Sequence, residues 1–360
     1  MGFLLAESLT RLFLRYNTPD TVRQHSLQYL PSVFGRHRLK PDQAVSTSGA
    51  WGDPANPDGS GRTFTINERG YRGVPITIPK PESTIRIVVL GGSSVFDVNA
   101  NEGADWPHLV QEFLRHSGHP EVEVINAGVP GHASFDSLGR LYSQLWMFEP
   151  DYVVLYHGWN DVKYFPSLDP GHPLIAKLTP YDPAADPFQN YRGGLDRFLA
   201  HSQVYIKLRS QYWIHKLDPG TEGARIEAGV QAGYGPWGLR QFQLDVELLI
   251  EATRAIQATP LLVTESTLVV AANTPDERAR IHYEYQGMGH DALVRALQDC
   301  ARIVRQVGHE KNVDVLDLAG RFNGRGDLFE DHVHTTAAGS RAIAAEVAAF
   351  VAKVMTRTHP

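Results

Sequence analysis

Hydrophobic positions change character along the chain. From residue 85 onward, short apolar runs alternate with stretches whose apolar residues recur every three or four positions. The runs at 85–90, 121–127, 152–156, 260–270 and 313–318 read as buried strands. Segments near 106–118, 134–148, 239–257, 288–307 and 337–354 carry the helical period. Strands alternating with helices imply βαβ units and a parallel sheet with helices on both faces. The first sixteen residues place Leu5, Leu9, Leu12, Phe13 and Tyr16 at helical spacing, with Glu7, Arg11 and Arg15 between them. This predicts an amphipathic helix that docks on the body of the protein or meets a membrane surface or partner.

Two stretches break the alternation. Residues 17–81 are rich in Pro, Gly, Asp and Thr without a sustained period, which predicts an irregular arm with short strands such as 62–67. Between about 165 and 237 come LDPGHPL, YDPAADPFQNYRGG and SQYWIHKLDPG, read as an insertion because so long a structureless loop is uncommon in a compact domain. The expected division is therefore an N-terminal helix and arm over 1–82, then one domain over 83–360 with an insertion at about 165–238. Aromatic residues of both stretches, among them Tyr71, Phe165, Tyr181 and Trp237, either wall a cleft or form a small core of their own.

Composition narrows the class. The 360 residues are 42% hydrophobic and 21% charged, the balance of a soluble globular enzyme. A net charge of −6 with scattered Lys and Arg leaves no basic footprint for nucleic acid. The single cysteine, Cys300, sits on a helical apolar face and reads as a buried structural thiol. No signal peptide or membrane span is visible at the N-terminus, so a cytoplasmic location is expected. The formal glycine fingerprint at Gly233, Gly235 and Gly238 lacks a preceding strand and reads as a loop, so no dinucleotide or other cofactor is expected.

Four short segments carry candidate chemistry. GGSS at 91–94 follows the first sheet strand and offers a serine oxygen, weak as a nucleophile until a base takes its proton. NAGVPG at 126–131 follows the second strand and ends in a glycine able to turn its N–H toward a ligand. GWND at 158–161 follows the third and supplies an amide side chain. DHVH at 331–334 precedes the last helix, with an aspartate three residues before a histidine, able to accept the imidazole N–H and fix its tautomer. Metal binding through His332 and His334 is set aside, since no HExxH or cysteine pair accompanies them.

Taken in order, these segments resemble the four blocks of the SGNH (GDSL-type) hydrolase family, over about residues 85–354 apart from the insertion. INERGYRG at 66–73, preceded by LKPD at 39–42, also resembles an N-terminal extension of some bacterial members. The resemblance implies a three-layer α/β/α sandwich with a flavodoxin-like parallel sheet and a serine esterase acting on a small-molecule acyl ester. It implies Ser93 as nucleophile, His334 as general base and acid, and Asp331 as its orienting carboxylate. The oxyanion hole would comprise the N–H groups of Ser93 and Gly131 with the Asn160 side chain. Ser93 is expected to open a helix whose positive end faces the developing charge. Two positions depart from the family pattern: Gly92 stands where an aspartate is usual, and Thr335 where a proline is usual. Ser94 competes for the nucleophile role. Acyl transfer to another acceptor uses the same triad, and a non-catalytic binding protein on this fold is the remaining alternative.

Overall fold

The structure, a computed structural model, describes residues 2–13, 27–46, 62–165, 193–217 and 233–358. Its centre is a five-stranded sheet built from β5 (Ile85–Gly91), β6 (Val122–Gly128), β7 (Tyr152–His157), β8 (Thr259–Thr264) and β9 (Val315–Leu316). The spatial order is β6-β5-β7-β8-β9 and every neighbouring pair is parallel. The connections reverse direction between β5 and β7, and such a switch point is where open α/β sheets bind ligands.

Because consecutive strand residues face opposite ways, the β-branched run divides its side chains between two cores. Val88 and Leu90 face α4 (Ser134–Ser143), α7 (Pro236–Ala255) and α9 (His290–Lys311). Ile87 and Val89 face α3 (Trp106–His116) and α10 (Ala337–Thr358). Both sets are buried. The result is the expected three-layer α/β/α sandwich with a parallel sheet.

Several elements differ from the expected ones. The strand expected over 260–270 stops at Thr264, and the one over 313–318 shrinks to two residues. The helix over 134–148 ends at Ser143 and is followed by a 3-10 turn at Leu145–Phe148. The glycine fingerprint runs into α7, whose first residue is Pro236; a proline at the helix start costs no hydrogen bond. Of the expected insertion, residues 166–192 and 218–232, and Tyr181 with them, lie outside the described residues. The described part holds Gly193–Leu199 and α6 (Gln203–Leu217), against which α1 (Gly2–Phe13) packs, with Glu7 accepting hydrogen bonds from Ser202, Gln203 and Val204.

The arm contributes two antiparallel strand pairs, β1 (Tyr29–Pro31) with β2 (His37–Leu39), and β3 (Gln43–Ser46) with β4 (Thr63–Ile66). Arg72 of the INERGYRG segment bridges β4 to Asn126 on the sheet edge and donates to the carbonyls of Phe96, Asp97, Ala100 and Asn101. Tyr71 packs edge-on against Phe148, and both it and Phe165 are buried in the core, whereas Trp237 is half exposed. Farther on, the Phe34 carbonyl lies where a Cβ on Gly139 of α4 would stand, so the arm rests directly on that helix.

Candidate active site

The carboxyl ends of β5, β6 and β7 and the loop before α10 converge at one place. β5 ends in Gly91, and Ser93 opens the single turn α2 (Ser93–Phe96). A one-turn helix has little dipole, so the local contribution is the Ser93 N–H itself. His334 brings Nε2 to 2.8 Å from Ser93 Oγ. Its Nδ1 lies 2.7 Å from Asp331 Oδ2. The other Asp331 oxygen accepts the N–H groups of Val333 and His334, each at 2.9 Å, so one carboxylate both shapes the loop and orients the ring. Burial alone would raise the Asp331 pKa, but the hydrogen bond and the charge of the imidazole hold it well below the usual range.

Ser94 points elsewhere. Its hydroxyl donates to Glu265 Oε1 at 2.5 Å, while Glu265 Oε2 accepts the Trp159 N–H at 2.6 Å. Burial pushes the Glu265 carboxyl up to about 7, against the pull of these two donors. Glu265 thus ties the turn after β5 to the turn after β7.

Asn160 lies in the short helix α5 (Trp159–Val162). Its Nδ2 donates one hydrogen to the His132 carbonyl at 2.9 Å. Its Oδ1 accepts the Tyr285 hydroxyl at 2.8 Å, from α8 (Tyr283–Gln286), and Lys163 Nζ donates to that hydroxyl at 2.7 Å. The amide is fixed at both ends, and its second Nδ2 hydrogen has no acceptor among the described residues. Gly131 adopts φ +84°, a left-handed conformation open to glycine. Among the described residues, nothing accepts a hydrogen bond from the Gly131 or Ser93 N–H.

The two departures from the family pattern have local causes. A Cβ on Gly92 would run into Asn160 Nδ2 and stand 3.0 Å from the His132 carbonyl, so an aspartate there would displace the amide. Thr335 donates to buried Asp97 at 3.1 Å and lies 2.8 Å from Ser340 Oγ, contacts a proline could not make. Sequence reasoning missed Glu265, Tyr285, Lys163 and Asp97. Glu265 directly follows the end of β8, where ligands of such sheets gather, but the strand expected over 260–270 ran past it and hid that position.

Among the described residues, the one group of metal-ligand type is Asp331, His332 and His334, with donor atoms within 4.8 Å of one another. His332 is buried and stacked on Trp159, with ring centroids 4.1 Å apart, and burial lowers its pKa to about 3. No helix among the described residues is long and apolar enough to cross a membrane.

The fold is similar to solved esterase structures of low sequence identity. An acetyl xylan esterase, AlAXEase, is 18% identical with a TM-score of 0.43, covering 73% of this chain and 98% of that one. A lipase/acylhydrolase from Enterococcus faecalis is 18% identical with a TM-score of 0.43, over 74% and 94%. A catalytic mutant of Axe2, an acetylxylan esterase from Geobacillus stearothermophilus, is 15% identical with a TM-score of 0.44, over 74% and 94%. No curated protein matches the chain by sequence. The model of the GDSL-like lipase/acylhydrolase family, by contrast, matches residues 89–342, from within β5 through the His334 loop into α10, and the chain therefore belongs to that family of serine hydrolases.

Proposed function

We propose that the chain hydrolyses a carboxylic acyl ester through a Ser93–His334–Asp331 triad and an acyl-enzyme. The observation that carries this reading is the continuous line Asp331 Oδ2–His334 Nδ1 and His334 Nε2–Ser93 Oγ, at 2.7 and 2.8 Å. Neutral His334 accepts the Ser93 proton at Nε2 as Oγ attacks the carbonyl carbon. The Asp331 carboxylate, already held ionised, stabilises the imidazolium that results. The oxyanion is met by the N–H groups of Ser93 and Gly131 and by the second Nδ2 hydrogen of Asn160. The imidazolium returns its proton to the departing alkoxide, which leaves as the alcohol. His334 then takes a proton from water as its oxygen attacks the acyl carbon, and gives that proton to Ser93 Oγ as the acyl–Oγ bond breaks and the acid departs.

The test is turnover of a short-chain aryl ester by wild type and Ser93→Ala, with an added alcohol to reveal acyl transfer. Hydrolysis that disappears in Ser93→Ala, with free acid as the main product, is expected. Full turnover in Ser93→Ala, or an ester product outweighing the acid, would overturn the reading.

A further inference from the structure

The Gly131 N–H and the Pro130 C=O belong to one peptide plane, so whatever grips that carbonyl decides where the N–H points. With Gly131 at φ +84°, glycine leaves the backbone free to turn this plane over, which would present the carbonyl to the substrate oxygen in place of the donor. Residues of the N-terminal arm bear on this peptide. His37 Nε2 lies 2.8 Å from the Pro130 oxygen. Since a carbonyl only accepts, Nε2 carries the proton, and burial holds the His37 pKa below its ordinary value, which favours this neutral ring. The ring also covers Gly131, with its Cε1 3.6 Å from where a Cβ would stand.

The neighbouring contacts run in the same sense. Arg36 donates to the Gly131 carbonyl and is anchored by Asp136, its NH2 2.6 Å from Oδ2 and its backbone N–H 3.0 Å from Oδ1. His132 Nε2 donates to the His37 carbonyl at 2.8 Å, and the His132 carbonyl in turn accepts from Asn160 Nδ2. One arm residue is thus linked to both Gly131 and Asn160, the two oxyanion donors outside the nucleophile turn.

We propose that His37, supported by Arg36, is a positioning residue of the oxyanion hole, holding the Pro130–Gly131 peptide in the orientation that turns the Gly131 N–H toward substrate. This rests on the proposed serine-esterase reading of the same site. The arm is then part of the catalytic apparatus rather than a cover. A hydrogen bond to the carbonyl also polarises the amide and strengthens its N–H as a donor.

The test compares kcat and KM for a short-chain aryl ester in wild type, His37→Leu and His37→Gln, with thermal midpoints measured alongside. Leucine fills the space but cannot donate, whereas the glutamine amide can. A lost oxyanion donor typically costs about a hundredfold in rate, so His37→Leu should lose kcat on that scale with KM within about twofold, and His37→Gln should recover most of it. Wild-type kcat in His37→Leu, or equal losses in both variants, would overturn the arm's role while leaving Ser93-dependent turnover intact. Turnover that survives Ser93→Ala would instead overturn the esterase reading beneath it.

Discussion

Gly92 shows how one missing side chain shapes the site. Asn160 Nδ2 occupies the space that a Cβ at position 92 would take, so the amide proposed for the oxyanion hole is packed against the turn that carries Ser93. Gly92→Asp, which restores the residue more usual in the family, should push that amide aside and lower kcat by about a hundredfold, with Ser93 and His334 unmoved. Steady-state kinetics with an aryl ester checks this, and a Gly92→Asp variant with unchanged kcat would show the close approach to be immaterial. At this scale Ser93, Gly131, Asn160, Asp331 and His334 were all legible as candidates, not from any one block, each of which is common in loops, but from the order in which the four blocks follow one another. Ser93 is favoured over Ser94 in the sequence because it follows the paired glycines, but the partner of Ser94 is invisible there. Glu265 takes the Ser94 hydroxyl, and it falls within the run read as the strand 260–270, where nothing marks a carboxylate, a group seldom buried, as a partner for Ser94. Tyr285 was hidden for a related reason: only the folded chain brings it to Asn160 across more than a hundred residues.

Elements are held in register by a second buried carboxylate. Asp97 follows α2, and its oxygens accept Thr335 Oγ1 at 3.1 Å and Ser340 Oγ at 2.6 Å, so the Ser93 turn is latched to the His334 loop and to the first turn of α10. Removing either hydroxyl leaves a buried acceptor short of a donor, a loss of about 1–3 kcal/mol. Thr335→Val and Ser340→Ala should each destabilise on that scale, and the double variant by less than the sum, because both hydroxyls serve one carboxylate. Urea unfolding of the four proteins checks this; strict additivity would argue against a shared latch. The regular elements were legible where period and length agreed, as in β5, β7 and α9. In the arm only β4 was legible, inside the expected strand at 62–67; β1, β2 and β3 were not, because three- and four-residue strands carry too few alternations to register. Nor was the start of α7, where Pro236 read as a turn residue although a helix accepts proline in its first turn.

Across the whole molecule, buried titratable groups set a balance with pH. Burial raises Asp97 and Asp245 to about 6 and Asp161 and Glu265 to about 7. In the range from about pH 4 to 7 the unfolded chain gives up protons that these groups keep, so their share of stability falls as pH rises. Burial lowers His157 to about 4 and His332 to about 3. Below about pH 6.5 the unfolded chain binds protons that these rings refuse, so their share falls as pH drops, and the two sets offset one another. Below about pH 4 the raised carboxyls are protonated in both states and drop out. Asp136, held at about 2 by His132 and Arg36 against the effect of burial, and the depressed Asp331 then act in the same direction as the depressed His332, with no raised carboxyl to offset them. Thermal unfolding should therefore show a broad plateau between about pH 4.5 and 6.5 and a steep loss from about pH 4 toward 2. Asp136→Asn should blunt that loss, and a midpoint that rises below about pH 4 would contradict the balance.

The claim on which the functional reading turns is that His334 activates the oxygen of Ser93 and not that of its neighbour. Stoichiometric labelling with a serine-directed phosphonate, followed by mass mapping of the adduct, examines it directly in wild type, Ser94→Ala and His334→Ala. A single adduct on Ser93, formed as readily in Ser94→Ala and lost in His334→Ala, is the expected pattern. An adduct on Ser94, or undiminished labelling without the His334 imidazole, would refute it.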